Sequence, residues 1–474
     1  MTTHDEVGEW LEERQGRFIS IADQIWQNPE LALGEYKACR LQSEDLAADG
    51  FTITGNIGDL PTAFMAEWTQ GEGGPVIGFL GEYDALPGLS QKNQDQQSPI
   101  VQDGPGHGCG HNLLGTAALA SASVLKSWLE HTGTPATVRY YGCPAEETCE
   151  GKVFMARAGA FDDLDICLTW HPGSRSTVWA GSCLAVNNMK FRFHGRTAHA
   201  AANPETGRSA LDAVELMNVG VNYLREHTID AARLHYVITN GGGAPNVVPD
   251  DAEVWYFIRS PERYQVEELT ERVRKIAQGA AMMTETTLEE IFVAGAYNVL
   301  PNDVLSDHMM SILEELGPIE FTAEEVAYAQ AVVQQFPREL REFLLTQEHV
   351  PADMIDAGLT GDVWPITDRG KVMPGSTDVG DVSWIAPTAQ ITTPTWALGI
   401  PGHSWAVTAT GAMSIGHKGM LHAAKVMAMT AADAILDPTI IEKAKAEFAA
   451  STAGRPYQCP IPADVAPRFV PESV

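Results

Sequence analysis

Several short stretches of this chain carry residues that bind cations or move protons. Gly106 to His111 reads GHGCGH, with Cys109 and His111 two apart in a glycine-rich turn just before a helix that opens near Asn112. That spacing lets a thiolate and an imidazole reach one metal ion, while the glycines permit unusual backbone angles. The same residues also suit a thiol nucleophile with its histidine, or a plain glycine turn with a capping histidine. Tyr140 to Glu147 reads YYGCPAEE, an apolar strand running into the adjacent carboxylates of Glu146 and Glu147. Two ionised carboxylates there are costly without a positive neighbour, and a bound cation would neutralise one while the other stays free as a base. A solvated helix N-terminus is the bland alternative. In LTWHP a third strand ends on His171, and in GIPGHSW His403 follows a later strand, with His417 of SIGHKGM competing for the same place. His199, in GRTAHAA, lies far from these in sequence, and a surface histidine is the plain reading there.

The elements that must position these residues alternate. Helical patterning covers Asp5 to Gly50, and short apolar runs at 63–68, 76–80, 137–141 and 166–169 alternate with helical segments near 113–130 and 151–160. Strands alternating with helices predict an α/β sheet, and in open sheets of that kind the ligand crevice lies beyond the carboxyl ends of the strands. Cys109, His111, Glu147 and His171 all sit at such ends, so they converge on a metal site if the strands are parallel neighbours. From Val186 the order becomes β-α-β-β-α-β, the ferredoxin-like split unit, before sheet material resumes near Ala389 to Leu398 and closes with a helix over 416–436. The expected organisation is a discontinuous catalytic domain, 1–185 and 299–474, with an inserted domain over 186–298. The polar segment 89–106 is long for a loop in a compact domain and is therefore expected to be functional or mobile.

Composition excludes several classes. With 31 Lys+Arg against 62 Asp+Glu in 474 residues, the formal charge of -31 repels polyanions, and no nucleic-acid partner is expected. No run reaches the roughly 18–20 apolar residues of a membrane span; the most apolar helical stretch, Leu113 to Leu129, is interrupted by Gly115, Thr116 and serines. The polar, acidic start lacks the pattern of a secretory signal, so a cytoplasmic protein is expected. Seven cysteines without framework spacing are expected to be mostly reduced and inert.

Taken in order, GEYDALPGL, GHGCGHNLLGTAA, CPAEE, TWHP, GRTAHAA, NVVP and GSTDVGDVSW resemble the dinuclear metallopeptidase and amidohydrolase family of aminoacylases, glutamate carboxypeptidase and indole-acetyl-amino-acid hydrolases, over nearly the whole chain. Within it, GRSALDAV, STDVGDVSW and IGHKGM resemble the branch that hydrolyses p-aminobenzoyl-glutamate.

The resemblance implies a zinc-peptidase-like α/β/α sandwich with a ferredoxin-like lid and dimerisation domain. It implies two divalent metal ions per subunit, Zn2+ or Mn2+, held by Cys109, His111, Glu147, His171 and His403, with Asp84 orienting a ligand and Glu146 as general base. His199 matches a lid histidine that reaches the partner subunit's active site, and Asn246 and Arg259 match lid residues that meet the substrate. The implied substrate is a small N-acyl amino acid, and the implied assembly is a homodimer or a heterodimer with a paralogous subunit. Three features depart from the pattern: Glu82 stands where many relatives have a metal-binding histidine, Asn112 where the branch commonly has aspartate, and the segment after His403 lacks the family's usual acidic pair.

Overall fold

The first helix is set by a reciprocal cap: the Thr2 hydroxyl accepts from the Asp5 N–H at 3.2 Å while an Asp5 carboxylate oxygen accepts from the Thr2 N–H at 2.8 Å. The computed structural model describes residues 2–468 and 470–472. Helices α1 (Thr3–Gln27) and α2 (Tyr36–Ala48) lead into β1 (Thr52–Gly55), β2 (Phe64–Gln70) and β3 (Val76–Glu82). Helix α3 (His111–Thr132), β4 (Ala136–Cys143), α4 (Gly151–Arg157), β5 (Ile166–Gly173) and β6 (Thr177–Trp179) complete the first half. Two residues of β7 (Ser182–Cys183) precede the inserted unit, β8 (Ala185–His194), α5 (Ala210–Leu224), β9 (Arg233–Asn240), β10 (Asp251–Ser260), α6 (Arg263–Thr284) and β11 (Thr287–Ala296). The chain then runs through α7 (Asp303–Leu316), α8 (Ala323–Val333), α9 (Arg338–Gln347), β12 (Val372–Met373), α10 (Val379–Ser383), β13 (Thr388–Pro394), α11 (Trp405–Thr410), α12 (Ser414–Leu436) and α13 (Pro438–Thr452).

The central sheet has the order β1-β2-β4-β3-β5-β13-β6. Its middle strands β4, β3, β5 and β13 are mutually parallel, while β2 and β6 flank them antiparallel. The chain leaves β3 for β4 on one side and then crosses to β5 on the other, so the carboxyl ends of β3, β4 and β5 meet at a switch point. Almost every residue of α3 from His111 to Leu129 is buried, between the sheet and helices α1 and α12. An all-round apolar helix of this kind belongs in the interior. Leu119, Val124 and Leu125 are completely buried there, where truncation to alanine typically costs about 2–5 kcal/mol for the leucines.

The inserted unit forms its own antiparallel sheet, β11-β8-β10-β9. Along β10, Ala252, Val254, Tyr256 and Ile258 are buried in a core shared with α5 and α6, whereas Trp255, Phe257 and Arg259 turn to the other face. Strand β9 is the edge, and nearly all its residues are exposed. The loop 89–106 is tied at its neck, with Leu86 and Gly106 exchanging backbone hydrogen bonds at 3.0 and 2.9 Å and Ser90 N–H donating to the Gly104 carbonyl at 2.9 Å. Its neck is thus closed by backbone bonds, and none of its residues lines the cavity bordered by Cys109, His171 and Arg259. Among the described residues no helix is long and apolar enough to cross a membrane.

Candidate metal centre

The site grows from the ends of β3, β4 and β5. Past the end of β3, one Asp84 carboxylate oxygen pairs with His111 Nδ1 at 2.8 Å and the other accepts from the Glu147 N–H at 2.9 Å. One carboxylate thus fixes both the imidazole tautomer and the loop after β4, leaving His111 Nε2 aimed away from Asp84. His111 begins α3 because Gly110 takes φ 81 at its N-cap, a left-handed conformation that favours glycine; a Cβ there would stand 2.9 Å from Pro172. Gly106 has no room for a side chain either, since its Cβ would meet the Leu89 carbonyl oxygen at 2.0 Å. On β5, His171 Nδ1 donates to the Pro172 carbonyl at 2.7 Å, which leaves Nε2 3.3 Å from Cys109 Sγ. His403 Nε2 stands 3.5 Å from a Glu147 carboxylate oxygen. Ala145, Cys149 and His403 all have positive φ, a conformation that non-glycine residues rarely adopt.

Among the described residues, three groups have donor atoms within 4.8 Å of one another: Cys109, His111 and His171; Cys109, Glu147 and His403; and Glu82, His111 and Glu146. Cys109 is common to the first two. His417 instead pairs with Asp23 at 2.8 Å, away from the group. His199 and Asn246 are exposed on the inserted unit and do not line the cavity in front of these residues; Arg259 does line it.

The electrostatics of the cluster call for positive charge. Burial pushes the Cys109 thiol up to about 12, and burial with the charges of Glu82 and Glu147 holds the Glu146 carboxyl well above its ordinary range. Burial and neighbouring carboxylates, Asp84 and Glu82, push Glu147 up to about 7 although His111 opposes them. Burial drives His171 down to about 4. His111 Nε2, Glu82 Oε2 and Glu147 Oε1 are buried without hydrogen-bond partners. Orphaned lone pairs of imidazole and carboxylate beside a thiol are the donor set of a divalent transition metal, so the residues present fit such ions.

Sequence reasoning missed the cation that is built in. Lys152, on α4, is completely buried, and its ammonium lies 2.6 Å from Glu82 Oε1 and 2.5 Å from Asp378 Oδ1. The other Asp378 oxygen accepts the Lys152 N–H at 2.8 Å. Glu82 is thereby clamped with one oxygen on Lys152 and the other 3.4 Å from His111 Nε2. The available signals were a lysine inside the apolar run GKVFMA and an aspartate in GSTDVGD. Asn112, another departure, donates to the carbonyls of Ala22 at 3.3 Å and Gly411 at 2.8 Å, a role that an ionised aspartate cannot fill.

The chain is 45% identical over 97% of its length to one of the subunits of p-aminobenzoyl-glutamate hydrolase of Escherichia coli, 98% of which is covered. Residues 186–282 match the peptidase dimerisation domain of the M20 family. This chain belongs to the M20 family. It is also 30% identical, over 93% of its length and 91% of the relative's, to a Xaa-Arg dipeptidase of Mus musculus. In fold it resembles a dinuclear metal binding peptidase from the M20 family of Bacillus subtilis, with a TM-score of 0.59 at 18% identity, covering 90% of this chain and 99% of that one. The helices α5 and α6 and strands β8 to β10 thus lie in or across the matched dimerisation domain.

Proposed function

We propose that this chain is a metal-dependent amidohydrolase that cleaves p-aminobenzoyl-glutamate to p-aminobenzoate and glutamate. The observation that supports it most is the meeting of Cys109, His111, Glu147, His171 and His403 beside Glu146, in a chain similar end to end to part of a hydrolase of that name. Cys109, His111 and His171 would hold one divalent ion and Cys109, Glu147 and His403 a second. Such ions, when bound, polarise an amide carbonyl and acidify a water. The thiolate favours zinc, while the imidazoles and carboxylate also admit manganese. Asp84 acts by holding the His111 tautomer, and Glu146 by moving a proton. Its carboxylate takes a proton from the attacking water and returns it to the leaving nitrogen as the C–N bond breaks, so a carboxylic acid and an amine leave in balance. Arg259 lines the cavity, its Nε is buried without a hydrogen-bond partner, and its planar guanidinium suits the glutamate carboxylate. The dimerisation domain supports a two-subunit enzyme in which the partner subunit's His199 completes the site, the partner being a second copy or a paralogous chain.

Purified chain, stripped and reloaded with Zn2+ or Mn2+, is assayed against p-aminobenzoyl-glutamate, indole-acetyl-aspartate and simple N-acetyl amino acids. Release of glutamate from the first by the chain alone is the expected result. Hydrolysis of only the other conjugates overturns the substrate. Activity against p-aminobenzoyl-glutamate that appears only when a paralogous chain is added shows that the functional unit is the heterodimer.

A further inference from the structure

The cavity in front of the metal-ligand cluster has a volume of about 530 Å³ and is lined both by the inserted unit and by the edge of the central sheet. The inserted unit contributes Asn188, Phe257 and Arg259, where the guanidinium suits a carboxylate. The wall on the edge of the central sheet carries Trp179 and Gln390, with Asp368 also lining the cavity. Trp179 closes β6 and is the register partner of Gln390 on β13. Its indole stacks on the His171 ring, with centroids 5.3 Å apart and planes 21° from parallel, yet the residue remains 38% exposed. Asp368 is anchored beside it, accepting the N–H of Ala180 on one carboxylate oxygen at 3.2 Å. A large aromatic surface next to a metal ligand, rimmed by a carboxylate and an amide, suits a planar ring that carries a hydrogen-bond donor.

Resting on the amidohydrolase reading, we propose that this wall is the acyl subsite: Trp179 stacks the ring of an aroyl group, and Asp368 accepts a hydrogen bond from an amino substituent on that ring. The substrate class is then an N-(aminoaroyl) amino acid. With the scissile amide at the metal cluster, the acyl ring extends toward β6 and the amino-acid carboxylate toward Arg259. An acetyl group leaves the indole uncovered, and an unsubstituted benzoyl group offers Asp368 no donor beyond the Ala180 N–H.

The test measures binding and turnover separately on the metal-loaded full chain. Calorimetry with p-aminobenzoate and benzoate is run on wild type, Trp179→Leu, Trp179→Phe and Asp368→Asn, with kcat/KM for p-aminobenzoyl-, benzoyl- and acetyl-glutamate alongside. Wild type is expected to bind p-aminobenzoate about tenfold more tightly than benzoate, the scale of one hydrogen bond to a charged acceptor. Trp179→Leu should weaken both acids about tenfold and lower the benzoyl-to-acetyl selectivity in kcat/KM by a similar factor, while Trp179→Phe, which keeps a ring, retains most of it. Asp368→Asn keeps the Ala180 bond through its single carbonyl oxygen and presents an NH2 to the cavity, so it should abolish the preference for p-aminobenzoate and leave benzoate binding alone. Equal affinity of wild type for the two acids, or selectivity ratios untouched in both Trp179→Leu and Asp368→Asn, overturns the subsite. If the binding pattern holds and no acyl-glutamate is cleaved, the subsite stands and the hydrolase reading falls.

Discussion

At the scale of single residues, the candidate ligands could be read because each is a chemically unusual residue where an element begins or ends or in the loop beyond, Glu147 and His171 at the ends of β4 and β5 and Cys109 and His111 at the start of α3, and such places survive errors in element boundaries. Lys152 could not, since a lysine is ordinarily solvent-facing and only the fold carries it between Glu82 and Asp378. That pair makes a strong prediction. Lys152→Met leaves the two carboxylates buried around an apolar chain, and breaking a buried ion pair from one side costs about 3–5 kcal/mol. Chemical denaturation of the metal-loaded protein should show that loss, whereas a change below about 1 kcal/mol, the scale of exposed pairs, contradicts the buried clamp. Glu146→Gln belongs to the same scale with the opposite signature. If Glu146 moves the proton and binds no metal, turnover should drop by about two to four orders of magnitude with metal content unchanged. Loss of half the metal in that variant reassigns Glu146 as a ligand, a role open to it because it shares a 4.8 Å group with Glu82 and His111. Cys109→Ala should lower metal occupancy, since its sulfur belongs to two of the ligand groups; metal analysis after dialysis reads this directly.

At the scale of elements, alternation made β10 and the β-α-β-β-α-β order legible, because one face of that sheet is buried against α5 and α6 and the other is not. Strand β6 was missed because three residues carry no periodicity, and its wall of the cavity was missed with it. The polar composition of 89–106 gave no hint of the backbone bonds that tie its neck. Helix α1 is joined to its neighbours by His4, whose ring nitrogens lie 2.9 Å from Glu315 and 3.0 Å from Asp433. Burial pulls the His4 pKa down, but Glu315 and Asp433 outweigh it and leave it above the ordinary 6.5. A raised histidine contributes its full stability below pH 6.5 and loses it as pH rises through the folded value. Burial would raise Asp433, but His308 and His4 outweigh it and hold it below 3.8, so its contribution is full above that pH and is lost as pH falls through the lowered value. The helix contact is therefore strongest between those limits. Being partly exposed, it is worth at most about 1 kcal/mol. Thermal melts of His4→Ala should run below wild type near pH 5 and approach it in the alkaline range; a constant offset at every pH contradicts the pairing.

At the scale of the whole molecule, the dimerisation domain carries the histidine proposed to complete the active site of another chain. His199 is exposed, and its Nδ1 accepts the N–H groups of Ala201 at 3.2 Å and Ala202 at 3.1 Å, so the ring is held by its own loop. On the same domain, the edge strand β9 exposes Tyr236, Val237 and Ile238, the kind of unpaired apolar edge that a second subunit covers. A histidine donated across that interface has a consequence that a surface histidine lacks. Under the proposed reading, Glu146→Gln and His199→Ala are each inactive as homodimers, because every site then lacks either its base or its donated imidazole. In a mixed dimer the two defects fall together in one site, while the other combines the intact Glu146 of one chain with the intact His199 of its partner. With free exchange and random assortment about half the dimers are mixed, each with one working site, giving about a quarter of wild-type activity. The measurement is turnover after the two metal-loaded variants are mixed, with exchange followed independently by fluorescent labels. Substantial activity in His199→Ala alone identifies a surface histidine. No recovery after proven exchange means that each lid serves the site of its own chain, which would require a closure bringing His199 to the cavity.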